Sequence, residues 1–208
     1  MVSIRNTSPR QLFAGLLVLE LIAMALFIAL AGDITVFPSS DPVKLLNARL
    51  GFAAAALIAL TIVPLVVLLR NESKTPWDTS ASIGLAFLIA YMTVNSVIYT
   101  VQAVAVPRFF LSHPELAQQL WFGDSGRLAF SIDLFGYMLN GIGVMMLGLP
   151  LTRDERWLRW VGWMLVISGI SSVACYFTHA IGVDWAASIL TTVAGALFLP
   201  IALISLRK

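Results

Sequence analysis

The chain has 208 residues, of which 59% are hydrophobic and only 12% charged, and its formal net charge is +2. A soluble domain carries about 25% charged residues, so this chain cannot clothe a normal solvated surface, and its mean hydropathy is +0.90. Those figures exclude an ordinary soluble enzyme, a disordered tail and a nucleic-acid binder, whose phosphate contacts need a larger basic excess; they leave an all-α polytopic membrane protein.

A membrane-spanning helix needs roughly 20 mostly apolar residues. Six segments meet that length: 12–31, 49–69, 83–106, 128–149, 158–179 and 185–206. Backbone polar groups have no water to bond inside lipid, so segments of this length form helices. Strict strand-like alternation is absent, which argues against a barrel.

The first span follows Arg5 and Arg10 and contains Glu20. An apolar run of this length exceeds the roughly 7–15 residues of a signal peptide, so it is expected to stay as a helix. In the connection 32–48, Asp41 followed by Pro42 is a helix start, a cap and then a first-turn proline. Val43, Leu45 and Leu46 are expected along the membrane surface, ahead of the second span. The third span carries Asn95, Tyr99 and Gln102. In the connection 107–127, Ser112 or His113 before Pro114-Glu115 opens a short interfacial helix ending near Gly123. The two long connections read either as structural caps or as lids. The fourth span carries Asp133, Tyr137 and Asn140, the fifth Ser168, Ser172, Cys175, Tyr176 and His179, and the sixth Ser188, Thr191, Thr192 and Gly195.

Lysines and arginines in the connections set the orientation. Arg5, Arg10, Arg70, Lys74, Arg153, Arg156, Arg159, Arg207 and Lys208 fall on one side, against Lys44, Arg49, Arg108 and Arg127 on the other. Nine against four places both termini in the cytoplasm. Trp77, Trp121, Trp157, Trp160, Trp163 and Trp185 all lie in connections or near span ends, where an aromatic belt belongs.

Three stretches carry a resemblance. They are Asp41-Pro42-Val43-Lys44-Leu45-Leu46-Asn47-Ala48-Arg49-Leu50-Gly51, Leu134-Phe135-Gly136-Tyr137 with the small residues after it, and Arg156-Trp157-Leu158-Arg159-Trp160-Val161-Gly162-Trp163. Together they resemble a group of bacterial six-helix integral membrane proteins classed as a domain of unknown function. The resemblance implies six helices in one bundle and a bacterial inner membrane, and it implies no chemistry.

Ionisable groups inside a bilayer are costly, at least about 2.5 kcal/mol each, and face the bundle interior with a partner. Glu20 and Asp133 are the two clear cases. From a rise of about 1.5 Å per residue they differ in depth by roughly 10 Å, so they form no tight dyad. Arg49 is the natural counter-ion of Asp133. Asn140 reaches the depth of Glu20 and is its expected hydrogen-bond partner. Each polar stripe follows i, i+3, i+4 or i+7 spacing and shares one helix face.

Together the stripes predict an outward-facing polar pocket between spans three to six, lined by Asn95, Tyr99, Gln102, Asp133, Tyr137, Asn140, Tyr176 and His179. Its expected occupant is a small, lipophilic molecule that the protein binds or transports. A second reading is an intramembrane isomerase or cyclase with Asp133 or Glu20 as general acid. A third is an accessory subunit of a larger membrane complex, its stripes used for packing.

Lipids are the expected partners and nucleic acid is not. One cysteine and two histidines offer no metal-ligand spacing, and Gly141-Ile142-Gly143 is helix packing rather than a nucleotide fingerprint. No lysine lies in a span interior, so no retinal Schiff base is expected. No cofactor is expected.

Overall fold

The computed structural model describes residues 9–71, 73–74, 76, 78–123, 127–154, 157–197 and 200–201, with only the backbone of 9–11 and 14. Among these residues all regular structure is helical. The elements are α1 (Pro9–Ala29), α2 (Ala31–Thr35), α3 (Pro42–Asn71), α4 (Thr79–Thr100), a π-helical turn (Val101–Ala105), α5 (Val106–Ser112), α6 (Pro114–Leu120), α7 (Leu128–Leu151), α8 (Trp157–Ala180) and α9 (Asp184–Ala196).

Four helical stretches are long and apolar enough to cross a membrane: Pro42–Asn71, Thr79–Ser112, Leu128–Leu151 and Trp157–Ala180. In α1 the apolar stretch is Gly15–Ala29. Residues 202–208, where the sixth expected span ends, lie outside the described residues, as do the side chains of Arg5, Arg10, Arg156, Arg207, Lys208 and Trp77. Large apolar side chains such as Ile22, Ile28, Trp160, Ile170 and Phe177 are exposed on the long helices. Water tolerates no such density of apolar surface, and lipid does.

Two helices extend well beyond their expected spans. The helix that carries the second expected span begins at Pro42 rather than 49, so Val43, Leu45 and Leu46 are part of α3. The reason is local. Asp41 Oδ1 accepts from the Val43 N–H at 2.9 Å, which caps the first turn, and nothing before Asn71 stops the helix. Pro64 lies inside α3 without ending it. The helical run that carries the third expected span continues to Ser112 rather than 106, because the chain passes through the π turn without breaking. The short helix at Pro114 forms where Pro114-Glu115 predicts it.

The chain divides into two packing units. The first comprises residues Met1–Leu17, Val63–Tyr91 and Tyr137–Lys208. Here α7 lies against α8 and α4 through glycines. A Cβ on Gly169 would stand 2.4 Å from the Gly141 carbonyl, and one on Gly148 would stand 2.8 Å from the Gly162 carbonyl. Gly84 and Gly143 play the same part between α4 and α7. Small residues let helix backbones approach where lipid gives no hydrophobic drive between helices. Polar bonds join α8 to α9: the Ser168 hydroxyl donates to the Ala194 carbonyl, and Cys175 Sγ lies 3.0 Å from Thr191 Oγ1.

After α3 the same unit ties its connections together. Arg70 is 4% exposed. Its guanidinium donates to Ser73 Oγ and to the Pro76 carbonyl, and the Ser73 hydroxyl donates to Asp154 Oδ2. Arg159 Nε donates to the Asp154 carbonyl. Asp78 caps α4: its Oδ1 accepts from Ser80 Oγ at 2.7 Å and from the Ala81 N–H at 2.9 Å. The Ser80 hydroxyl, then the Ala81 N–H, hold the Asp78 carboxyl below the usual carboxylate range.

The second unit comprises Val18–Ile62 and Met92–Gly136. Its core gathers Ile34, Phe37, Ala48, Phe52, Ile98, Tyr99, Val106, Ala117 and Ala129. Phe37, in the connection before α3, is fully buried and packs edge-on to Phe52 with centroids 5.6 Å apart. Burying one such ring is worth about 1.5–3 kcal/mol. Gly51 makes room for α2: a Cβ there would come within 2.6 Å of Ile34 Cδ1. Asn47 Nδ2 donates to Asp33 Oδ2 at 2.9 Å and pins the same connection to α3.

Candidate functional site

Three of the expected site residues converge inside the second unit. Asn95 and Tyr99 lie one turn apart on α4, and Asp133 faces them from α7. Asn95 Nδ2 donates to Asp133 Oδ1 at 2.7 Å. The Tyr99 hydroxyl is hydrogen-bonded to the same carboxyl. Asn95 is fully buried and Asp133 is 6% exposed. One polar atom is left over, because Asn95 Oδ1 is buried with no hydrogen-bond partner among the described residues.

Gly136 is what admits the amide. It lies one turn beyond Asp133, and a Cβ on it would fall 1.6 Å from Asn95 Oδ1. The glycine is therefore part of the site, although it contributes no functional group. Spacing alone does not mark it, because a glycine in a membrane helix reads first as ordinary packing.

The expected Arg49–Asp133 ion pair gives way to other partners. Arg49 Nε donates to the Ala103 carbonyl at 3.0 Å, while Asp133 is met by Asn95 and Tyr99. The physical reason is exposure. Arg49 lies on an exposed face of α3, where a guanidinium keeps its hydration, and the buried carboxyl is served by neutral donors. The carbonyl that Arg49 reaches belongs to the π turn.

Gln102 is buried as expected, but it faces the following connection rather than Asp133. Its Nε2 donates to the Leu120 carbonyl at 2.8 Å, and its Oε1 accepts from the Phe122 N–H at 3.0 Å. A primary amide offers one donor and one acceptor side by side, so it pairs with the chain as a peptide group would. Gln102 lies inside the π turn, and both ends of its amide are taken up by the following connection. Phe122, held by that amide, packs against Phe52, Tyr99 and Phe130 at centroid distances of 5.9, 6.4 and 5.6 Å. Its ring thus rests on the tyrosine that bonds Asp133.

The other four expected residues belong to the first unit. Tyr137 packs against Tyr91 with centroids 5.9 Å apart and is 36% exposed. Asn140 is buried, and its Oδ1 finds no partner among the described residues. Tyr176 packs against its neighbour Phe177. His179 Nδ1 lies 2.8 Å from Asp184 Oδ1 and closes the connection between α8 and α9. The hydroxyl stripes of α8 and α9 are largely consumed at home. Ser172, Thr178, Ser188, Thr191 and Thr192 each donate to a carbonyl one turn back in their own helix.

Glu20 has a partner that the sequence reading does not name. Thr61 Oγ1 on α3 lies 2.5 Å from Glu20 Oε2, and both side chains are buried in the second unit. The signal lay in a lone threonine within a long apolar run three residues before Pro64. Of Arg70, Ser73 and Asp154, the sequence singles out only Arg70, as a basic residue of a connection. No group of three or more His, Cys, Asp or Glu side chains that could hold a metal occurs among the described residues.

Comparison with protein-family models, with curated proteins and with solved structures finds no match to this chain.

Proposed function

We propose that the protein is a multi-pass protein of a bacterial inner membrane that binds, and carries across, a small lipophilic molecule. The molecule's polar group is seated at Asp133, Asn95 and Tyr99, and the site opens to the outer side. The observation that carries this reading is the unmet Asn95 Oδ1 beside a buried carboxyl. A buried polar atom left unpaired costs on the order of 1–3 kcal/mol, and a ligand hydroxyl or N–H removes that cost. The apolar surroundings of the cluster favour a ligand that is otherwise lipophilic.

In this reading the chain has six spans with both termini cytoplasmic. The apolar stretch in α1 and the run from Asp184 toward residue 206 add two spans to the four long helices. The nine-to-four distribution of Lys and Arg supports the orientation.

The test is ligand retention. Full-length protein purified from its membrane into lipid nanodiscs is extracted and analysed by mass spectrometry. The wild type should retain a small molecule that Asp133→Ala and Asn95→Ala lose. Equal retention by all three, in folded protein, overturns the reading.

A further inference from the structure

A second polar site lies apart from the Asp133 cluster and shares no hydrogen bond with it. Glu20 on α1 meets Thr61 on α3, and the oxygens around Thr61 do not balance. Thr61 Oγ1 lies 2.5 Å from Glu20 Oε2, 3.1 Å from the Leu57 carbonyl and 3.0 Å from the Ile58 carbonyl. A hydroxyl has one proton to give and lone pairs to receive. Three acceptor oxygens therefore compete for one hydrogen, unless the carboxyl brings its own.

The charged groups nearest in sequence are far away. Arg49 and Arg70 lie twelve and nine residues from Thr61 along α3, roughly 18 and 14 Å by helix rise. Lys44 lies further still. Among the described charged residues of the unit, Asp33, Asp41, Arg108, Glu115, Arg127 and Asp133 make no hydrogen bond with Glu20, and Thr61 is the side chain that does. An ionised carboxylate in apolar surroundings needs more than one donor or a cation.

We propose that Glu20 and Thr61 form an intramembrane proton-binding site with Thr61 as its rotor. When loaded, Glu20 is a carboxylic acid that donates its proton to Thr61 Oγ1, and the Thr61 hydroxyl donates to Leu57 or Ile58. When Glu20 releases that proton, the Thr61 hydroxyl turns and donates to Glu20 Oε2. Both states are hydrogen-bonded with every heavy atom in place, so the proton binds and leaves without repacking α1 against α3. Pro64 adds a further acceptor: it has no N–H, so the Leu60 carbonyl, next to Thr61, lacks its helix donor.

Infrared difference spectroscopy tests the site on the full-length protein in nanodiscs. The spectrum of wild type minus Glu20→Gln should contain a protonated-carboxyl stretch at neutral pH that shifts in D2O. Carboxylate bands should replace it as the pH rises. Hydrogen bonds to a charged group are about twice as strong as neutral ones, so losing the hydroxyl penalises the carboxylate more than the acid. In Thr61→Val the changeover should therefore move to higher pH, by roughly tenfold in proton affinity, and in Thr61→Ser it should stay in place. Carboxylate bands alone in the neutral difference spectrum overturn the proposal. So does an unchanged changeover in Thr61→Val, a comparison that also serves if Glu20→Gln fails to fold. Asp133→Asn supplies the spectral control. Because the readout needs no ligand, its failure is separable from failure of the Asp133 reading.

Discussion

A single missing methyl sets the geometry of the candidate site. Asn95 reaches Asp133 only because Gly136 leaves its amide room, and an alanine would place a carbon on top of Asn95 Oδ1. Gly136→Ala is expected to destabilise the protein by about 3 kcal/mol, the upper range for overpacking a filled site. The double change Asn95→Ala, Gly136→Ala should recover much of that loss. Thermal unfolding in detergent of the four proteins decides it, and strict additivity would refute the clash. Asp78 makes a different residue-scale prediction. Its carboxyl is held below its usual value of 3.8 by Ser80 and the Ala81 N–H. A depressed carboxyl stabilises the fold above its unfolded value, and that contribution disappears as the pH falls through the folded value. Asp78→Ala should therefore lower the melting temperature at neutral pH, with the difference from wild type closing below about pH 4. A difference that persists unchanged in acid would show that the cap owes nothing to charge.

Among the elements, the π turn decides what the sequence could and could not reveal. Asn95, Tyr99 and Gln102 share one face if the helix keeps 3.6 residues per turn, and the first two do meet at Asp133. Gln102 does not; it lies in the five-residue π turn and bonds to the Leu120 carbonyl and the Phe122 N–H instead. No composition signal marks such a turn; it is fixed by the Leu120, Phe122 and Arg49 groups that bond to it. Local chemistry was legible where it acts within one turn, as with Asp41-Pro42 opening α3 and Pro114-Glu115 opening α6. Partnerships between elements, such as Thr61 with Glu20 across two helices or Ser73 with Asp154 across two connections, depend on how the elements are placed and were not. Gln102→Leu should leave the Leu120 carbonyl and the Phe122 N–H without their partner. The expected cost is about 2 kcal/mol or more. Hydrogen–deuterium exchange should rise in residues 114–123 and stay unchanged in α8. Unaltered exchange in that segment would remove Gln102 as its clasp.

For the molecule as a whole, orientation is the prediction on which the outward site depends. In a Cys175→Ser background, single cysteines at Thr35 or Gln118, both exposed, should react with an impermeant maleimide added outside intact cells. Cysteines at Lys74 or Arg153, also exposed, should react only after lysis. The reverse pattern would invert the protein and with it the site. The glycine contacts of α7 and α8 carry a consequence for how the gene can change. Gly141 meets Gly169 and Gly148 meets Gly162, so each contact pairs residues whose numbers have the same sum, as an antiparallel register requires. The two contacts are one heptad apart on both helices. One inserted residue within 142–147 or 163–168 would turn the next glycine by about 100° and set a side chain against a backbone. One inserted residue in the connection 152–156 turns neither helix. Drift in length is therefore confined to the hinge of this hairpin, while inside the helices the reading of residues can change only by substitution.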